Sequence, residues 1–215
     1  MKMTALKRWF VFVLASAAFA FSTQALAQEA PDELVKRVSA DVLDVAKKDR
    51  EVKKGNMQQI FRLVEEKVMP YVDFKKTTSL AVGKYWRQAT PEQRNELTKQ
   101  FHDLLFYTYA SAISKVEDGH KLQFQPLRAK ADATDVIVNS RIIQPKNPEP
   151  ILIGYRLEKQ ADGWKIYDIN VMGAWLVETY KTTFTNEIGR SGIDGLIKTL
   201  KDKNASLARG GKPAQ

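Results

Sequence analysis

Cysteine is absent from the 215 residues, and histidine occurs only at His102 and His120. Without cysteine there is no disulfide, no thiol nucleophile, no thiolate metal site and no lipid attached through sulfur. Two imidazoles are too few for most zinc enzymes. Eleven glycines and eight prolines exclude a collagen-like or low-complexity chain. Acidic residues are outnumbered, 25 against 34 Lys and Arg, for a formal charge of +9. Long apolar runs are missing too, except at the N-terminus. What remains is an apolar fraction of 44%, enough for a chain of this length to bury a sizeable core.

The one apolar run, Trp9 to Phe21, follows the basic residues Lys2, Lys7 and Arg8 and precedes Ala25-Leu26-Ala27. A positive start, a short apolar stretch and small residues at the cleavage positions describe a secretory signal peptide over residues 1–27, cut before Gln28. The run falls short of the ~20 residues that a membrane-spanning helix requires. The expected product is a free periplasmic protein that remains basic. Export directs that charge toward lipid head groups or acidic partner surfaces and away from nucleic acid.

The first half reads as helix. Leu34, Val38, Val42 and Val45 recur at helical spacing, as do Met57, Ile60, Phe61, Val64 and Val68, with Pro70 as the stop. Asp73 is placed to cap a short helix. Thr90-Pro91-Glu92-Gln93 is a capping-box start for a helix reaching about Val116. After Gly119 the period becomes two. Strands are expected at Lys121–Gln125, Asp135–Ile143, Ile151–Lys159 and Trp164–Val171. Asp162-Gly163 marks a hairpin turn, and the three prolines of Gln144–Pro150 mark a projecting loop. Helix returns at Trp175, a last helix starts at Ser191, and residues 204–215 read as a frayed tail. The expected fold is α+β, a curved four-stranded antiparallel meander with helices on one side, in a single domain over residues 28–203.

No catalytic motif is present: no nucleophile elbow, no His-Glu-x-x-His, no phosphate-cradling glycine loop. Asp168, within an apolar strand, is the most unusual carboxylate. A hydrogen-bonded structural role is favoured for it over that of a general base beside Tyr155 or Tyr167. Glu65 and Glu66 diverge on a helix, and His102 and His120 read as surface residues. Lys47, Lys48, Arg50, Lys53 and Lys54 read as a solvated helix end, or as a contact for a membrane or acidic partner. The generous apolar helix surface over only four strands leaves two outcomes, a dense core or an unfilled cavity.

Gly163-Trp164-Lys165-Ile166-Tyr167-Asp168, then Gly173-Ala174-Trp175-Leu176 and a following Tyr180, resembles the MlaC family of periplasmic phospholipid-binding proteins, also labelled toluene-tolerance proteins. Gly192 to Leu196 and the Phe101 and Tyr109 helix are similar to further parts of that family's pattern, over about Pro31 to Lys203. The chain departs at Ala174, where the family often has Val, and at Trp175, where many members have Ser. The resemblance implies a fold like that of nuclear transport factor 2 and ketosteroid isomerase. It implies a monomeric carrier, not an enzyme, that uses no cofactor or metal and shuttles phospholipid between the outer and inner membranes. The partners it implies are an outer-membrane lipoprotein–porin complex and an inner-membrane MCE-domain ABC transporter complex. Tyr109 and Ala174 match family pocket positions. Strand alternation and the neighbouring helices add Ile113, Phe124, Val138, Ile142, Ile153, Tyr155, Tyr167, Ile169, Val171 and Leu176 as candidate acyl-chain contacts. Arg141 and Arg156 are the candidate phosphate ligands, with solvated arginine the favoured reading of each. The competing functions are an enzyme with Asp168 as base and a periplasmic chaperone or adaptor.

Overall fold

A computed structural model describes residues 28–210. The signal-peptide expectation lies outside the described residues. Six helices and one five-stranded sheet follow in the order α1 (Pro31–Lys48), α2 (Arg50–Lys53), α3 (Met57–Lys67), α4 (Phe74–Val82), α5 (Pro91–Ser114), β1 (Lys121–Phe124), β2 (Asp135–Gln144), β3 (Asn147–Gln160), β4 (Gly163–Val171), β5 (Ala174–Trp175) and α6 (Leu176–Ala208). Among the described residues no helix is long and apolar enough to cross a membrane.

Local chemistry sets the helix starts. Asp73 Oδ1 accepts from Lys76 N–H at 2.9 Å and opens α4. At α5 the capping box is complete: Gln93 N–H donates to Thr90 Oγ1 and Thr90 N–H to Gln93 Oε1. Asp49 and Asn56 cap α2 and α3 in the same way.

The sheet is an antiparallel meander in the order β1-β2-β3-β4-β5. It has one strand more than the sequence announces. β5 is two residues long and pairs Ala174 with Val171 and Trp175 with Asn170, too short to leave a periodicity. The expected proline loop is also mostly strand. β3 starts at Asn147, so Pro148 and Pro150 lie in its first turnless stretch, beyond Ile153↔Val171 where the pairing with β4 ends. Proline is tolerated there because its missing N–H faces no neighbour.

A bulge decides which residues of β4 face which way. Arg156 pairs with Asp168 but Leu157 with Ile166, so Tyr167 is the extra residue. Ile166, Ile169 and Val171 therefore share one face with Leu157, Tyr155 and Ile153. Asp168 shares the other with Arg156. This resolves the appearance of apolar residues on both faces of that strand.

Three apolar clusters fill the molecule. One joins α4, α5 and α6 around Phe101, Leu104 and Phe184. A second joins α1 to β2, β3 and β4 through Leu34, Val38, Val138 and Leu157. The third joins α1, α2, α3 and α5 through Ala46, Ile60 and Phe106.

A last helical run does start next to Ser191, as expected, but Ser191 does not cap it. Instead α6 bends at Gly192, whose φ of 74° and ψ of 179° lie in a region open almost only to glycine. Ser191 Oγ donates back to Glu187 O rather than forward. A Cβ on Gly195 would sit 2.1 Å from that hydroxyl, so the elbow needs both glycines. The helix also outlasts the expected tail boundary. Asn204 is buried and donates to Gln100 O at 2.9 Å, and Leu207 packs in the first cluster. Gly192→Ala is expected to lower unfolding free energy by about 1–3 kcal/mol, measured by urea denaturation, through strain at this elbow.

Candidate functional site

Between the second and third clusters the apolar surfaces do not close. A cavity of about 260 Å³ lies between α1, the end of α5 and the sheet. Helix α1 contributes Val35, Val38, Val42 and Leu43, α5 contributes Ala112 and Ile113, and Val116 follows just beyond its end. The sheet contributes Ile142, Ile153, Tyr155, Ile166 and Ile169, and Val68 and Val72 flank the short turn at Pro70. Ser39 and the Tyr155 hydroxyl bring the only polar side-chain atoms among the residues that line it. Apart from those two hydroxyls the wall is hydrocarbon. It offers burial of hydrocarbon, worth roughly 25 cal/mol per Å².

Five of the twelve sequence-derived contacts line this cavity: Ile113, Ile142, Ile153, Tyr155 and Ile169. Val138 and Phe124 stand one row away, packed in the cluster between α1 and the sheet. Val171 and Ala174 extend the Ile153 face through the register Ile153↔Val171↔Ala174, and Ala174 is exposed. Leu176 is buried at the start of α6. Tyr109 is 40% exposed on α5, and desolvation of its phenol holds the pKa above the ordinary tyrosine value. Tyr167 does not join them. Its hydroxyl donates to Asp135 on the opposite face at 2.7 Å, and Lys76 lies 4.0 Å above its ring. The bulge turned it away.

The contribution of α1 is what sequence reasoning missed. The stripe Leu34, Val38, Val42 and Val45 marks a core helix, but Val35 and Leu43 lie beside it. A stripe that wide is more than one packed neighbour needs, and it was a readable sign of a second surface to cover.

The polar candidates fall outside the cavity. Asp168 is buried on the opposite face. Its Oδ1 accepts from the N–H groups of Val177 (3.0 Å) and Ile169 (2.9 Å), and Oδ2 lies 3.1 Å from Arg156. Burial pushes its carboxyl above the ordinary aspartate range, while Val177 N–H, Arg156 and Ile169 N–H pull against that shift. Arg156 is in turn stacked 4.0 Å from the Trp175 ring, which lies over Gly154. The group therefore pins the start of α6 to the back of the sheet, and both Asp168 and Arg156 are occupied by it. Arg141 donates to Gln123 on that same outer face.

The histidines are less exposed than expected. His120 is buried and its Nδ1 accepts from Glu117 N–H at 2.8 Å. His102 sits between Glu65 Oε1 (3.0 Å) and Asp103 Oδ1 (3.3 Å), edge-on to Phe74. The lysine cluster is largely neutralised at home: Lys48 by Asp44, Lys54 by Glu51, and Lys53 by Asp118 at 3.7 Å.

Comparison with known proteins gives a consistent picture. The family model described as "MlaC protein" matches residues 36–202. The intermembrane phospholipid transport system binding protein MlaC of Haemophilus influenzae is 24% identical over 204 residues, covering 94% of this chain and 95% of that protein. The toluene tolerance protein ttg2D of Pseudomonas putida is 25% identical over 191 residues, covering 88% and 87%. A phospholipid-binding protein from Ralstonia solanacearum, solved in complex with a phospholipid, is 44% identical with a TM-score of 0.80. That alignment covers 84% of this chain and 99% of the other.

Two expectations follow from this geometry. Asp168→Ala is expected to cost about 1–3 kcal/mol by leaving the buried Val177 N–H, the part-buried Ile169 N–H and Arg156 without their acceptor. Asp168→Asn, which keeps the Oδ1 acceptor, should cost less; urea denaturation compares the two. Tyr180, packed 4.9 Å from Phe101, has its phenol pKa raised from 10.0 to about 12 by desolvation, with Tyr109 adding to the shift. A raised phenol favours the folded state while neutral, so this stability is present below about pH 10 and is lost as pH rises to about 12. Tyr180→Phe should flatten alkaline unfolding in that window, followed by circular dichroism.

Proposed function

The chain belongs to the MlaC family, and from that premise we propose that it is a periplasmic carrier that moves phospholipid between the outer and inner membranes. The protein binds lipid and transports it; it performs no chemistry on its cargo. The observation that carries this reading is the aliphatic cavity between α1 and the sheet, in a chain 44% identical to a protein that holds a phospholipid.

The physics supports the assignment. Each buried methylene is worth ~0.8 kcal/mol, so a two-chain lipid resists entering water by more than ~20 kcal/mol. A soluble carrier must replace that burial with its own apolar walls. The cavity of about 260 Å³ equals the liquid volume of only about nine water molecules. Two acyl chains need more, so the walls must part on loading. The seam that parts is α1 against the sheet, because the faces that meet there are aliphatic; the polar ties of α1 lie at its margins, Lys47 to His120 O at 2.7 Å and Arg37 to the Tyr71 hydroxyl. Tyr109, Val171 and Ala174 then extend the tail site toward the open end of β4 and β5. The phosphate stays in water at the mouth. In the same reading the curved sheet and its helices form a cone of the nuclear transport factor 2 kind. Its docking partners are the outer-membrane lipoprotein–porin complex and the inner-membrane MCE-domain transporter, and their energy source sets the direction of transfer.

Native mass spectrometry of the protein purified from cells tests the proposal. About one phospholipid per chain is expected, released on denaturation. Ile153→Trp, which fills the cavity from the sheet, should lose most of that lipid at a stability cost of about 1–3 kcal/mol. Lipid-free wild-type protein, or a folded Ile153→Trp variant with full lipid occupancy and full transfer between vesicles, would overturn it.

A further inference from the structure

β2 is longer than the strand beside it. β1 pairs with it only from Ser140 to Ile143, and Gln125 N–H adds one bond to Asn139 O at 3.0 Å. The chain then leaves the sheet through residues 126–134. Further along β2, Val136 and Val138 pair with Leu157 and Tyr155, and Lys159 N–H donates to Thr134 O at 2.8 Å. These even-numbered residues turn their backbone groups to β3. Antiparallel geometry aims the N–H and C=O of Asp135 and Ile137 the opposite way. Among the described residues neither has a backbone partner on that side.

A groove of about 820 Å³ runs along this open edge, between β2 and the loop that left it. Pro126, Arg128 and Lys130 form its loop wall, and Asp135, Ile137 and Asn139 its strand wall. Natural sheets cover or blunt such edges, because an unpaired strand templates pairing with another chain. Here none of the described residues pairs with it, and Ile137 is 44% exposed. The two charged side chains of the loop wall are both basic, and the strand wall carries one carboxylate. Arg128 and Lys130 are exposed and have no ion-pair partner among the described residues, whereas the Asp135 carboxylate is occupied by Tyr167.

We propose that this edge is a β-addition site for an extended acidic segment of a partner protein. The segment continues the line of β1. Its backbone bonds to Asp135 and Ile137, its carboxylates face Arg128 and Lys130, and an apolar side chain covers Ile137. Main-chain bonds supply the affinity in this mode and the flanking side chains the choice of sequence. The site lies at the Asp135–Asn139 end of β2, whereas the cavity meets that strand at Ile142, and it does not depend on what the cavity carries.

The probe is a synthetic peptide of alternating Glu and Val closed by Pro at both ends, added to the full protein. Hydrogen exchange should slow at the Asp135 and Ile137 amides and not elsewhere on the sheet. Ile137→Pro removes one outward N–H while sparing the β2–β3 bonds, and should weaken peptide binding about tenfold, the scale of one lost hydrogen bond. Arg128→Glu with Lys130→Glu should abolish binding, and so should replacing the peptide's Glu by Lys. If circular dichroism shows Ile137→Pro to be unfolded, the exchange pattern and the charge reversal decide. No binding, binding indifferent to the charge reversal, or protection away from these amides overturns the proposal. So do dimerisation through the same edge in sedimentation, and displacement of the peptide by phosphatidylglycerol vesicles. Co-purified lipid is read separately, so a lipid-free protein that still binds the peptide refutes the carrier and leaves this inference standing.

Discussion

The aliphatic face of β3 and β4 is wider than the helix laid across it, and most of the molecule follows from that mismatch. Val38 and Leu34 of α1 close on Val138 and Leu157 at one end of the seam. Toward Val42, Leu43 and Ile113 the surfaces separate. A void lined this way cannot be relieved by water, because a buried water needs two to four polar partners and the wall supplies almost none. Empty, it forfeits contacts that a well-packed core would make. Hydrocarbon restores them without requiring a hydrogen bond anywhere.

Such a face can stay open only if the rest of the fold is held from elsewhere. The outer face of the sheet does this. The bulge at Tyr167 lets β4 present Ile166 and Ile169 inward while sending Asp168 outward to the N-terminus of α6. Arg156 stacks on Trp175 beside it, next to Gly154, where a side chain would crowd Asn139 and Asn170. On the helical side, Asn204 reaches Gln100 and Gln93 reaches Asp194, binding the second half of α6 to the first half of α5. Polar bonds thus fix α5, α6 and the sheet to one another, while the seam beneath α1 is apolar and tied only at its margins, through Lys47 to His120 O and Arg37 to Tyr71.

Much of this was legible in the residues. The capping box at Thr90, the Asp73 cap and the change of period after Gly119 located helices and strands, because those signals are local. Ile153, Tyr155 and Ile142 were found by alternation for the same reason. Three features escaped. β5 is too short to carry a period. Tyr167 was assigned to the wrong face because a bulge adds one residue and reverses every alternation beyond it, and the sequence Ile-Tyr-Asp-Ile contains no glycine to mark it. The α1 wall escaped because amphipathic helices look alike whether the facing surface is filled or hollow. The outer role of Asp168, by contrast, was readable: a carboxylate among apolar strand residues either finds N–H donors or stays protonated, and the start of α6 supplies them.

The distribution of polar bonds also bears on how the cargo leaves. A carrier that held two acyl chains behind hydrogen-bonded gates would have to break those bonds at every exchange, at roughly 1 kcal/mol net for each and more where a group is left buried and unpaired. An apolar seam has no such threshold. Its separation costs exposed area, and that cost disappears when the surface it opens against is itself hydrocarbon. At a membrane or a lipid-lined partner the lipid exchanges one apolar contact for another, and the wall closes behind it. Keeping the seam itself apolar, with its polar ties at the margins, therefore makes release depend on what lies at the mouth, which is the property a shuttle between two membranes requires.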